Sequence, residues 1–193
     1  MGTPKAGLAW RGGTLLHRTV SVVAEAVAGP VVVVRAPGQP LPGLPAGTLV
    51  TEDPREGKGP LQGIAAGLAA LHGHQVAFVA ATDMPFLHGA FIRRVIALLA
   101  EDRADVLLPD ARGHLQPLAA AYRVALAELA DQLVTAGRLR PADLFASCAV
   151  TRADEARLLA DPVLAAADPG LDSLINVNDP AEYAAALTRA AGQ

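Results

Sequence analysis

Gln75-Val76-Ala77-Phe78-Val79-Ala80-Ala81-Thr82-Asp83-Met84-Pro85-Phe86-Leu87 decides the fold class, because an apolar run ends abruptly in one acidic residue with a proline close behind it. Six of the seven residues at 76–82 are apolar, which predicts a strand buried on both faces between helices. Asp83 is then the first group to emerge from that layer, at the carboxyl edge where open α/β sheets bind ligands. A carboxylate there suits a hard divalent cation such as Mg²⁺ held against a polyphosphate, since Mg²⁺ keeps several waters and takes only one or two protein oxygens. The same residue could instead cap a helix starting near Leu87. Both readings stand on this segment alone.

Outward from that strand the pattern alternates. Leu15, Leu16, Val20, Val23 and Val27 have helical spacing closed by Gly29-Pro30, and residues 31–35 follow as a strand. Residues 36–47 carry four prolines and three glycines, a loop, before a short strand at 48–51. Glu52-Asp53-Pro54-Arg55-Glu56-Gly57-Lys58-Gly59-Pro60-Leu61-Gln62-Gly63 opens a helix running to about His72. Pro60 suits its first turn, and the glycines at 57, 59 and 63 let main chain approach a ligand at a helix N-terminus, which favours anions. An ordinary strand-to-helix connection would read the same way. Beyond Asp83, residues 91–99 predict a helix, 105–108 a strand, 110–113 a turn, 115–123 an extended segment, 124–136 a helix, 141–145 a short helix and 148–151 a strand. Asp179 is a natural N-cap, Pro180 the first helical residue, and Glu182 completes a capping-box-like pattern. The alternation predicts a three-layer α/β/α, Rossmann-like fold with a mostly parallel sheet, in one domain spanning 1–193.

Composition removes several function classes. A chain of 193 residues that is 52% hydrophobic buries a full core. A net charge of −3 with scattered cations gives no field for a nucleic-acid backbone. Apolar segments are broken well before the ~18 residues of a membrane span, and no signal-like run opens the chain, so a soluble, cytoplasmic protein is expected. Cys148, the single cysteine, forms no internal disulfide and is predicted to be a buried structural thiol. The histidines show no zinc spacing, and His72 and His74 read as a surface turn. Of 16 cationic residues only Lys5 and Lys58 are lysines, both in Gly/Pro-containing segments. A compact, flexible ammonium is what phosphate sites often use.

Together these pieces resemble the molybdenum cofactor guanylyltransferases, the molybdopterin-guanine dinucleotide biosynthesis protein A family of the nucleotidyltransferase superfamily. The resemblance rests on Lys5 with Leu8 and Gly12-Gly13-Thr14-Leu15-Leu16, on Asp53 followed by Gly59-Pro60-Leu61-Gln62-Gly63, on Thr82-Asp83-Met84-Pro85-Phe86, on Gln116-Pro117-Leu118 with Tyr122, and on Asn176-Val177-Asn178-Asp179-Pro180. It implies transfer of GMP from Mg²⁺–GTP to molybdenum-bound molybdopterin, with Lys5 on the nucleotide phosphates, Asp53 on the guanine nucleotide and Asp83 on Mg²⁺. Gly59, Pro60 and Gly63 would shape the base-side wall, and Asn176 and Asn178 would lie near the pterin substrate or the metal. Lys5 and Asp83 are the implied catalytic pair. Molybdoenzymes or cofactor chaperones are the implied further partners. Members of that family begin with a central strand and a glycine-rich loop, of which Met1-Gly2 resembles the end, so the resemblance implies a domain shortened at its amino end. A second departure is Val34, where the family can carry a nucleotide-contacting asparagine. Use of CTP or another phosphorylated acceptor, and a non-catalytic nucleotide- or cofactor-binding relative, remain open alternatives.

Overall fold

The computed structural model describes residues 5–53 and 59–192; Gly57, Lys58 and Arg55 of the expected loop, and Met1-Gly2, lie outside them. A short 3₁₀ turn (Lys5–Gly7) leads into a hairpin with a two-residue turn, β1 (Ala9–Trp10) against β2 (Gly13–Thr14). Arg11 and Gly12 both have positive φ, 42° and 83°, the tight hairpin turn that matches strand twist. Thr14 then caps α1 (Leu15–Ala26), its Oγ1 accepting the His17 amide at 3.2 Å. The chain continues through β3 (Val32–Arg35), β4 (Leu49–Glu52), α2 (Pro60–Ala70), β5 (Val76–Ala80), α3 (Gly89–Glu101), β6 (Val106–Ala111), β7 (His114–Leu115) and β8 (Ala119–Arg123). It closes with α4 (Ala127–Thr135), α5 (Pro141–Phe145), β9 (Val150–Asp154), α6 (Glu155–Leu159), α7 (Pro162–Ala167) and α8 (Pro180–Ala191).

The main sheet has the order β5-β8-β6, with β7 and β9 both paired to β6. β5 and β6 are each antiparallel to β8, and β9 is parallel to β6, so β5, β6 and β9 run one way and β8 against them. Period-two alternation builds the layers. Leu107, Ala119 and Ala121 face a core containing Phe91, Ile92, Val95 and Leu99 of α3. Val106, Leu108, Ala120 and Tyr122 face the opposite core, with Leu61 and Leu68 of α2 and Leu144 of α5. The Tyr122 hydroxyl, buried in that second layer, donates to the Pro117 carbonyl at 2.7 Å, and burial chiefly pushes its pKa up. No described helix is long and apolar enough to cross a membrane.

β3 and β4 form a separate parallel pair, and this corrects the expectation of a strand at 76–82 buried on both faces. Of β5 only Ala77 is fully buried. Among the described residues β3 pairs only with β4 and β5 only with β8. Between the two lies an apolar cavity of about 1130 Å³, larger than the roughly 300–1,000 Å³ of small-molecule pockets. The Val124 amide on the Gln75 carbonyl and the Ala81 amide on the Leu118 carbonyl fix which residues β5 bonds to β8, leaving the main chain of Val76, Phe78 and Ala80 directed at the cavity. Likewise the Leu49 amide on Val31 and the Asp53 amide on Arg35 turn Val32 and Val34 towards it.

Cys148 is half-buried rather than buried, because it sits in the short link before β9. Partial burial, with the Asp105 charge adding to it, pushes its thiol up to about 11. Such a thiol is a poor nucleophile at neutral pH.

Candidate functional site

Three elements meet where β5 ends. The loop after β5 carries Asp83, the first described turn of the chain (Lys5–Gly7) carries Lys5, and the link into α8 carries Asn178. Lys5 Nζ donates to Asp83 Oδ2 at 2.7 Å and to Asn178 Oδ1 at 3.1 Å. The Asp83 side chain keeps 18% of its surface exposed and that of Lys5 35%, so the pair is reachable from solvent without being fully hydrated. Asp83 does not cap the following helix: His88 is the N-cap of α3, its Nδ1 accepting the Ala90 amide at 3.2 Å. That leaves the Asp83 carboxylate to the site.

The Asn176-Val177-Asn178 segment is pinned there by packing. Val177 is 1% exposed in a small core with Trp10, Leu15, Ala186 and Ala190, and its amide donates to the Asp83 carbonyl at 2.9 Å. Alternation then points Asn178 outward, to Lys5. Asp179 caps α8 by accepting the Glu182 amide at 2.8 Å, as the sequence suggested, but the Glu182 carboxylate takes the Asn178 amide at 2.6 Å rather than that of the cap itself. The box is shifted by one residue and thereby holds the main chain beside the site.

Asp53 follows β4, its amide on the Arg35 carbonyl at 2.7 Å. Pro60 and Gly63 line the same cavity as Lys5 and Asp83, so the start of α2 forms part of its wall. Asn176 is half-buried and is not among the groups that Lys5 bonds. The structure therefore brings Lys5, Asp83 and Asn178 together directly, gathers Pro60 and Gly63 at the same cavity, and leaves Asp53 and Asn176 outside that hydrogen-bonded trio.

Gly59 is needed for its backbone. With φ 79° and ψ 179° it occupies a region essentially restricted to glycine. A Cβ there would also lie 3.1 Å from the Leu139 carbonyl oxygen, which accepts the Leu61 amide at 3.3 Å and anchors the start of α2. Gly63 is different, since a Cβ would meet nothing within 4 Å. Urea unfolding should therefore separate the two: Gly59→Ala loses ~1–3 kcal/mol from strain, whereas Gly63→Ala gains up to ~1 kcal/mol from helix propensity.

The trio presents oxygen donors and one mobile ammonium, which is the chemistry of a hard cation and an anion bound side by side. Among the described residues no group of three or more His, Cys, Asp or Glu side chains could form a protein metal cage. One aspartate beside a cavity fits instead an ion that takes most of its ligands from phosphates and water. Sequence reasoning missed Arg18, which reaches from α1 to the loop after Asp83 and donates to the Pro85 carbonyl at 2.6 Å and the Leu87 carbonyl at 3.3 Å. The available signal was a lone arginine next to the buried stripe of Leu15, Leu16, Thr19 and Val20.

Comparison with known proteins converges on one group. Residues 1–156 match the MobA-like NTP transferase domain. The probable molybdenum cofactor guanylyltransferase of Mycobacterium tuberculosis H37Rv is 44% identical over 142 residues, covering 71% of this chain and 68% of the relative. Among solved structures, molybdopterin-guanine dinucleotide biosynthesis protein A from Archaeoglobus fulgidus superposes with a TM-score of 0.75 at 20% identity, over 100% of this chain and 93% of that one. A Mycobacterium tuberculosis H37Rv protein solved in complex with manganese gives 0.58 at 15% identity, over 78% and 80%. The two structures bear on the fold, which is that of the nucleotidyltransferases, and the sequence matches bear on the family: the chain belongs to the MobA-like NTP transferases and is a nucleotidyltransferase.

Proposed function

We propose that the protein transfers GMP from Mg²⁺–GTP to the terminal phosphate of molybdenum-bound molybdopterin, forming the guanine dinucleotide cofactor and releasing pyrophosphate. The carrying observation is the Lys5–Asp83–Asn178 cluster, of which Lys5 and Asp83 line the cavity, supported by a 44% identical relative named for that activity. The acceptor brings its own phosphate oxygen as nucleophile. That oxygen forms a bond to the α-phosphorus of GTP as the bond to the β-phosphate bridging oxygen breaks, and pyrophosphate leaves with the electron pair. No protein nucleophile is required; positioning and charge neutralisation suffice. Asp83 would hold the divalent ion, whose contribution is to neutralise phosphate charge and orient the α-phosphate. Lys5 would move from Asp83 to a phosphate oxygen, Asn178 would orient its ammonium or the pterin substrate with Asn176, and Asp53 with Gly59, Pro60 and Gly63 would form the nucleoside side of the pocket.

The inward-directed main chain of β3 and β5 beside the cavity suits an extended segment that pairs with both. GTP, molybdopterin and the enzymes or chaperones that take up the finished cofactor are the partners of this reading, in the cytoplasm.

Thermal unfolding with GTP, CTP, ATP and UTP, each with and without Mg²⁺, tests the proposal, because a ligand bound only by the native state raises its stability, by ~2.7 kcal/mol at a hundred times Kd. Selective stabilisation by Mg²⁺–GTP is the expected result. Preference for Mg²⁺–CTP would move the base assignment, and no response to any nucleotide would overturn the nucleotide site in this chain.

A further inference from the structure

The loop that presents Asp83 has no regular secondary structure between β5 and α3, so its main-chain groups must find partners elsewhere. One bond is local, the Leu87 amide on the Met84 carbonyl at 3.2 Å; the others come from two sides. On the α8 side the Val177 amide takes the Asp83 carbonyl at 2.9 Å, and Ser173 Oγ accepts the His88 amide at 3.0 Å. On the α1 side a single residue supplies both contacts: Arg18 Nε on the Pro85 carbonyl and Nη2 on the Leu87 carbonyl. Pro85 sits inside the tight turn that the Leu87 amide closes on the Met84 carbonyl, and Met84, Pro85 and Leu87 are all buried. The loop is thus held at 83, 85, 87 and 88, with the carboxylate of Asp83 directed at Lys5.

Arg18 touches neither the Asp83 carboxylate nor Lys5. Its guanidinium is partly desolvated by burial and faces the charge of Arg11, which together hold its pKa below the usual arginine value despite Glu25. Two donors in a rigid fork can fix the spacing of two carbonyls, which one lysine ammonium cannot do with the same geometry.

We propose that Arg18 is a positioning residue for Asp83, clamping the Pro85 and Leu87 carbonyls so that the carboxylate meets the divalent ion in a single orientation. This rests on the metal-holding reading of Asp83 given above. Arg18 acts through the loop and contacts no reacting atom.

The experiment is a titration of Mn²⁺ with GTP into the full 193-residue chain and its variants, following protein-bound Mn²⁺ by electron paramagnetic resonance alongside thermal unfolding. Arg18→Met is expected to weaken Mn²⁺ binding by ~10–100-fold, the usual cost of removing a group that orients a metal ligand. Arg18→Lys should fall between, because its ammonium serves one carbonyl well. Arg123→Met is the reference for a purely structural clamp: Arg123 donates to the carbonyls of Leu99, Asp102 and Ala104 at the end of α3, so that variant should lose stability and keep its Mn²⁺ affinity. Unchanged affinity in Arg18→Met, with Asp83→Ala defective, overturns the positioning role while leaving the metal reading standing. Unchanged affinity in Asp83→Ala overturns the metal reading and this proposal with it. Should Arg18→Met fail to fold, Arg18→Lys decides alone, wild-type affinity counting against the role.

Discussion

Asp83→Ala is expected to lower guanylyl transfer at least ~1,000-fold, equivalent to ~4 kcal/mol of transition-state stabilisation, while leaving the fold intact. Both parts follow from the geometry. The side chain offers its oxygens to Lys5 and the cavity mouth, whereas the structural contact at this position is made by the main chain, through the Val177 amide on the Asp83 carbonyl. The ion pair that is lost is partly solvent-exposed and contributes no more than ~1 kcal/mol, so far-UV circular dichroism should be unchanged. Asp83→Asn is informative because it keeps an oxygen for Lys5 but removes the charge. If turnover needs only that hydrogen bond, the amide variant stays active; if it needs a metal-holding carboxylate, both variants are equally inactive. Retained divalent-ion-dependent turnover in Asp83→Ala would refute the assignment.

Lys5→Met should separate two quantities that a simple loss of function would move together. In the ligand-free protein the Lys5 ammonium occupies Asp83 Oδ2 and so competes with any cation for that oxygen. Removing it should tighten Mn²⁺ binding in the absence of nucleotide. The same change should lower kcat by ~10²–10³-fold, the usual scale for losing one preorganised electrostatic contact to the reacting group. Lys5→Arg is not expected to restore the rate, since a planar fork cannot swing between Asp83 and a phosphate as a point charge does. Isothermal titration with Mn²⁺ and single-turnover kinetics check the two halves. Weaker Mn²⁺ binding in Lys5→Met would show that the lysine supports the metal site instead of competing for it.

The features that could be read from the chain were those written in local chemistry. The strand before Asp83 shows as an apolar run, the start of α8 as Asp179-Pro180 with Glu182, and the start of α2 as Gly59-Pro60. The features that could not be read either depend on partners distant in sequence or are too short to leave a pattern. β8 lies between β5 and β6 and runs against both, and nothing in residues 119–123 says which neighbours they will have. α6 and α7, of five and six residues, are too short to show helical periodicity, although Asp154 and Asp161 cap them. For the site, Asp83, Lys5 and Asn178 were legible as residues and their meeting followed from the resemblance. Arg18 was not, because a residue that works by bonding main-chain carbonyls is indifferent to the side chains it serves and leaves no paired signal.

The cavity between β3 and β5 ties the architecture of the sheet to the chemistry at its edge. Its inward-facing main-chain groups border aliphatic walls, so an extended segment pairing with them would gain hydrogen bonds along both edges. Lys5 and Asp83 line it, so an extended segment pairing there and a nucleotide bound as proposed above would act on the same two residues. The two events would then be reciprocal: whatever factor the nucleotide adds to pairing of that segment, its pairing must add to affinity for the nucleotide.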